Sequence, residues 1–127
     1  MKRLLLDTHA IIWYAQGDDS LSAAALHAME NGECHYSIAS LWEIAIKQRL
    51  GKLAFSASIP AIAAFCDAAG FIPLEITPAH AEKLKSLPDI HRDPFDRMLV
   101  AQAMVESLAV VTADSFIPRY QVETLWR

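Results

Sequence analysis

Four carboxylates stand where a parallel α/β sheet would gather them: Asp7, Glu43, Asp96 and Asp114. Asp7 ends the apolar run Leu4-Leu5-Leu6, and Asp114 follows Ala109-Val110-Val111-Thr112. Glu43 sits in Ser40-Leu41-Trp42-Glu43, read as the first turn of a helix. Asp96 lies in Arg92-Asp93-Pro94-Phe95-Asp96-Arg97, at the start of another. Carboxyl ends of strands and amino ends of helices share one edge of an open α/β sheet, and ligands bind there. Acids crowded on that edge raise each other's pKa. A hard divalent cation removes the conflict, and Mg2+ or Mn2+ prefers carboxylate oxygen. The pattern therefore predicts a metal-dependent enzyme.

Each acid also has a capping role open to it. Asp7 can cap the helix that follows. Ser40 and Glu43 fit the S-x-x-E capping box. Asp93 can be an N-cap with Pro94 as the first helical residue, which leaves Asp96 as a favourable first-turn charge. Asp114 can cap the turn at Ser115-Phe116. Two observations favour the metal. Asp96 shares a helix face with Leu99, Val100 and Ala103, so it should point inward at the top of the core. Glu43 is the only acid within the segment Ile38–Ile46, where an unpartnered buried carboxylate is costly. Ser40, Thr112 and Asp93 are candidates for holding the acids by hydrogen bonds. Arg97 can touch a phosphate or pair with an acid, and the cluster of His91, Arg92 and Arg97 offers phosphate contacts. Lys47, Arg49 and Lys52 form a second basic cluster that fits either phosphate or a solvated helix face.

Strands alternate with helices around these residues. Strands are expected at 3–6, 34–38, 71–74, 109–112 and 122–125. Helices are expected after Thr8, over 21–30 with Ser20 as cap, from Ser40 to about Leu50, and over 58–69, 78–86 and 96–108. This order argues for a parallel sheet with helices on both faces. The 127 residues, 54% hydrophobic and 20% charged, suit one domain over 1–127 with a real core. No apolar stretch is long enough to span a bilayer. Two cysteines and no evident secretory leader point to a reducing, cytoplasmic setting. A net charge of −4 disfavours a non-specific nucleic-acid binder but not a nuclease.

Other chemistries fit less well. No G-x-G-x-x-G or P-loop occurs, and Cys34 and Cys66 are not spaced as zinc ligands with any histidine. A haloacid-dehalogenase-type phosphatase wants an acid two residues after Asp7, where His9 stands. A receiver-like module wants a lysine ending a late strand, and none is there.

Taken in order, four segments resemble the PIN-domain ribonucleases, specifically the VapC-type toxins of toxin–antitoxin pairs. They are Leu4–His9, Ser40–Ala45, His91–Ala103 and Val110–Phe116. The resemblance implies a three-layer α/β/α fold with a parallel sheet of five strands. It implies Mg2+ or Mn2+ held by Asp7, Glu43, Asp96 and Asp114, with Thr8, Ser40, Thr112 and Asp93 in support. Asp7 and Asp96 would be the core ligands and Asp114 a second, weaker position. It further implies an RNA substrate, a homodimer and a cognate antitoxin. PIN nucleases of RNA processing or DNA metabolism, and a non-catalytic metal-binding partner module, are the alternatives.

Overall fold

A computed structural model describes residues 1–127. Five strands, β1 (Arg3–Leu6), β2 (Glu33–Ser37), β3 (Ile72–Leu74), β4 (Ala109–Val111) and β5 (Thr124–Leu125), form one sheet. Six helices connect them: α1 (Thr8–Gln16), α2 (Ala23–Asn31), α3 (Ile38–Arg49), α4 (Ile59–Ala68), α5 (Pro78–Leu84) and α6 (Pro94–Glu106). The strand order is β3-β2-β1-β4-β5, and every pairing is parallel. The chain winds outward from β1 through β2 to β3, then returns to the other side of β1 with β4. The order therefore reverses between β1 and β4, and a crevice opens beyond the carboxyl ends of those two strands.

Leu4–Leu6 of β1 and Ala109–Val111 of β4 are apolar without interruption because both faces are covered. Leu4, Leu6, Cys34, Tyr36, Ala109 and Val111 pack into one core with Ile11 and Ile44. Leu5 and Val110 point the other way, into a second core with Leu99, Val100 and Ile117. The three-layer α/β/α arrangement expected from the alternation is the one observed. No helix is long and apolar enough to cross a membrane.

Helix starts account for most of the differences from the sequence expectations. Ser22, not Ser20, caps α2 through Ala25 N–H, and Ser20 N–H instead bonds the Asp18 carboxylate. Ser37 caps α3 by accepting from Ala39 N–H at 3.0 Å, so the helix begins at Ile38 and β2 ends one residue earlier. The expected Ser40–Glu43 capping box does not form, because a hydroxyl three residues upstream has already taken the end. Both residues then lie inside the helix and face its buried side. Gly17 ends α1 in the left-handed region at φ 62°, and its N–H satisfies the last carbonyls. At Gly32 a side chain would come within 2.8 Å of Ala28 O and of Leu4, so glycine lets α2 turn tightly into β2.

Candidate active site

Asp7 caps a helix and belongs to the acid cluster at once. Its N–H continues the ladder to Val111 O at 3.1 Å, which fixes the backbone at the β1–β4 crevice. Its Oδ1 accepts from Ala10 N–H at 2.8 Å as the N-cap of α1. The carboxylate is almost wholly buried. Burial pushes its pKa up and the Asp114 charge adds to the rise, while the Thr112 hydroxyl, Ala10 N–H and His9 oppose it.

Glu43 enters from α3, also buried. Its Oε1 accepts from the Thr8 hydroxyl at 2.6 Å, and its Oε2 accepts from Lys47 Nζ at 2.7 Å. Thr8 Oγ1 also lies 3.0 Å from Ser40 Oγ. Thr8 has a single proton and the carboxylate takes it, so the Ser40 hydroxyl donates back to Thr8. Ser40, Thr8 and Lys47 thus fix Glu43 in one orientation. Partial burial pushes the Lys47 ammonium pKa down, but Glu43, Asp93 and Asp96 outweigh it and hold it above its ordinary value.

The start of α6 brings the next pair. Asp93 is the N-cap, accepting from Phe95 N–H at 2.9 Å and Asp96 N–H at 3.0 Å, with Pro94 in the first turn. Asp96 stands above Leu99, Val100 and Ala103, all buried, as its spacing predicts. Its Oδ2 lies 3.2 Å from His91 Nε2. Burial, with the charges of Asp93, Asp114 and Glu43, pushes its pKa up to about 6 against a partial offset from His91. Asp114 follows β4. Its N–H donates to Thr112 Oγ1 at 2.9 Å, and its Oδ2 accepts from Phe116 and Ile117 N–H at 2.8 and 2.9 Å. The turn-capping role is real here too, and it fixes where the carboxylate points.

Asp7, Glu43, Asp93, Asp96 and Asp114 line one cleft of about 140 Å³. Thr8, His9 and Lys47 complete it, and no apolar side chain takes part. Five carboxylates therefore share a small space with one ammonium. Ligand atoms of Asp96, Asp114 and His91 lie within 4.8 Å of one another. The five carboxylates of the cleft are hard oxygen donors, suited to Mg2+ or Mn2+. The raised pKa values of Asp7 and Asp96 record an electrostatic cost that a cation would relieve.

The basic residues are placed differently from expectation. Arg97 pairs with no acid: its Nη1 donates to Pro88 O at 2.8 Å, Tyr120 Oη at 3.0 Å and His91 O at 3.4 Å. Arg92 is exposed and borders a separate hollow with Asp89, Ile90 and His91. Lys47, by contrast, is a member of the cleft, and its i,i+4 spacing from Glu43 is the sequence signal for the pair. The contact of His91 with Asp96 carries no periodic signature in the sequence.

Among curated proteins none matches the chain significantly. Solved structures share the fold. VapBC2 from Rickettsia felis, bound to a promoter DNA fragment, aligns with a TM-score of 0.67 at 16% identity over 96% of each chain. VapBC-1 from nontypeable Haemophilus influenzae aligns at 0.66 and 14% identity, again over 96% of each chain. FitAcB from Neisseria gonorrhoeae aligns at 0.60 and 18%, with the same coverage. At such identities the likeness is one of fold. The sequence pattern of the PIN domain matches residues 4–123, nearly the whole chain, and with the acid edge in place the chain belongs to the PIN-domain family.

Proposed function

We propose that this chain is a divalent-metal-dependent endoribonuclease and the toxin of a toxin–antitoxin pair, acting as one cytoplasmic domain over 1–127. The observation that carries the reading is the cleft itself: carboxylates from four parts of the chain, Asp7 and Glu43 buried and Asp96 and Asp114 half-buried, converge with too little positive charge to neutralise them. Membership of the PIN family supports hydrolysis of nucleic acid. The VapBC and FitAcB neighbours support a cognate antitoxin partner, and the family reading adds a homodimer.

In this reading Asp7 and Asp96 hold Mg2+ or Mn2+, and Asp114 offers a weaker second position. Such an ion would supply positive charge to the phosphate and lower the pKa of a coordinated water. Glu43 is fixed by Thr8 and Lys47 and orients the attacking water. Water oxygen adds to phosphorus, the phosphorus–oxygen bond to the leaving group breaks, and that oxygen takes up a proton. Lys47 holds Glu43 and adds the one ammonium charge facing the phosphate. Arg92 is free to reach the RNA backbone, whereas Arg97 is committed to the loop.

The test is cleavage of total cellular RNA by the purified, antitoxin-free protein with Mg2+ or Mn2+. Discrete fragments, absent with EDTA and with Asp96→Asn, are expected. No cleavage by the folded, metal-supplied wild type would overturn the reading. Cleavage of DNA in place of RNA would move it to another branch of PIN nucleases.

A further inference from the structure

Beside the acid cleft, a chain of hydrogen bonds runs Arg97–Tyr120–His91–Asp96 with no part yet assigned in the chemistry. His91 Nδ1 lies 2.8 Å from Tyr120 Oη, and Nε2 lies 3.2 Å from Asp96 Oδ2. Arg97 Nη1 is 3.0 Å from the same Tyr120 oxygen. The imidazole is stacked on Phe116 at 4.9 Å with rings 10° apart, and the Tyr120 ring leans on it at 5.6 Å. Its backbone carbonyl accepts from Arg97 as well. The ring can neither flip nor swing out without losing several of these contacts.

The direction of the chain follows from which groups can only donate. Arg97 has no acceptor, so Tyr120 Oη accepts from it. The phenol hydrogen is then directed to His91 Nδ1, which makes that nitrogen the acceptor. Nε2 carries the ring hydrogen and donates it to Asp96 Oδ2. Such an arrangement is the usual device for orienting a metal-binding carboxylate from behind. A carboxylate's terminal torsion is otherwise broad, so an unheld Asp96 would sample many orientations.

We propose that His91 is the positioning residue for Asp96, with Tyr120 and Arg97 setting its tautomer. Asp96 Oδ2 is held from outside the cleft and Oδ1 is left for the ligand. The role rests on the metal-nuclease reading above and concerns the same site. It also explains why the arginine beside Asp96 faces loop carbonyls and a phenol. In this scheme His91 touches neither substrate nor metal.

The experiment measures two quantities on His91→Ala, His91→Gln and Tyr120→Phe. One is the affinity of the substrate-free protein for Mn2+, by electron paramagnetic resonance of the free ion. The other is kcat and KM for cleavage of a defined RNA. Gln places an amide donor near the position of Nε2. His91→Ala should weaken Mn2+ about 10–100-fold and lower kcat by a similar factor with KM for RNA nearly unchanged. His91→Gln should restore most of both, and Tyr120→Phe should fall between Gln and Ala. Wild-type Mn2+ affinity and kcat in a folded His91→Ala would overturn the proposal. So would a His91→Gln as weak as Ala while Tyr120→Phe is unaffected, because that pattern means a direct nitrogen ligand. If His91→Ala does not fold, Tyr120→Phe decides alone: unchanged affinity and kcat refute the chain of bonds. The Mn2+ measurement needs no RNA, so loss of the nuclease reading leaves it standing as a separate test.

Discussion

The two ends of the sheet handle charge in opposite ways. At the amino end the charged residues at or just before the strand starts are paired. Lys2 pairs with Glu123 and Arg3 with Glu33, while Arg3 also donates to Glu106 O at 2.9 Å. His35 sits 3.7 Å from Glu33. At the carboxyl end five carboxylates crowd around Lys47, and two of them are held above the ordinary carboxylate range. Both ends belong to the same strands, so the fold does not require the imbalance. An apo protein gains nothing from it, since like charges in a partly buried space destabilise the folded state. The carboxyl end carries a cost that proton uptake or a bound cation would offset, and the amino end carries none.

The largest effect that would break this contrast is loss of cleavage. Asp7→Asn or Asp96→Asn should lower RNA cleavage by more than about 100-fold, beyond the 10–100-fold typical of residues that only support a metal site. The same Asp96→Asn should raise the apo protein's stability by about 1 kcal/mol, the partly exposed position discounting the full electrostatic cost. For a domain of this size that is roughly 3–5 °C in Tm, read by calorimetry in EDTA. An equal loss of stability and activity would mean that the acids are structural.

Next in size is Thr8→Val. It removes the donor from Glu43 Oε1 in a buried setting and should cost about 1–3 kcal/mol. Cleavage should fall roughly 10-fold or more by the same supporting-residue logic, with urea denaturation and a cleavage assay as the two readouts.

A smaller effect sharpens the contrast through pH. The folded pKa of Asp96, about 6, lies above its ordinary 3.8, so the folded state binds the proton more tightly than the unfolded chain does. Its contribution to stability is complete below about 4 and is lost as pH rises through about 6. Comparing wild type with Asp96→Asn by denaturation in EDTA at pH 4.5 and 7 should show a clearly larger advantage of the Asn variant at the higher pH. Smallest of all, Lys2→Ala at the amino end should change stability by less than about 1 kcal/mol and leave cleavage unchanged.

Much of the acid edge was legible because each acid sits at a boundary with its own signature. Asp7 and Asp114 follow apolar strands, and Asp93-Pro94 is a helix start whose i+3, i+4 and i+7 apolar positions aim Asp96 inward. Their capping roles and their place in the cleft proved compatible, since a carboxylate has two oxygens. Glu43 reaches the cleft from a helix that starts earlier than the sequence pattern suggests. Ser37 and Ser40 can each cap α3, and local pattern does not choose between them. The choice of Ser37 places Glu43 a full turn into the helix, where Thr8 can reach it. The strand order depends on which crossover brings β4 beside β1, a tertiary event without a local code. The bond from His91 to Asp96 depends on the path of an irregular loop, which periodicity does not describe.

The most direct test of the account is thermal denaturation of the apo protein titrated with Mn2+, wild type beside the double variant Asp7→Asn/Asp96→Asn. A ligand bound only by the folded state adds about 2.7 kcal/mol at 100 times its Kd. The wild type should start less stable, climb with Mn2+ and overtake the double variant, which should stay flat. Parallel responses of the two proteins, or a wild type that ignores Mn2+ at millimolar concentration, would contradict it.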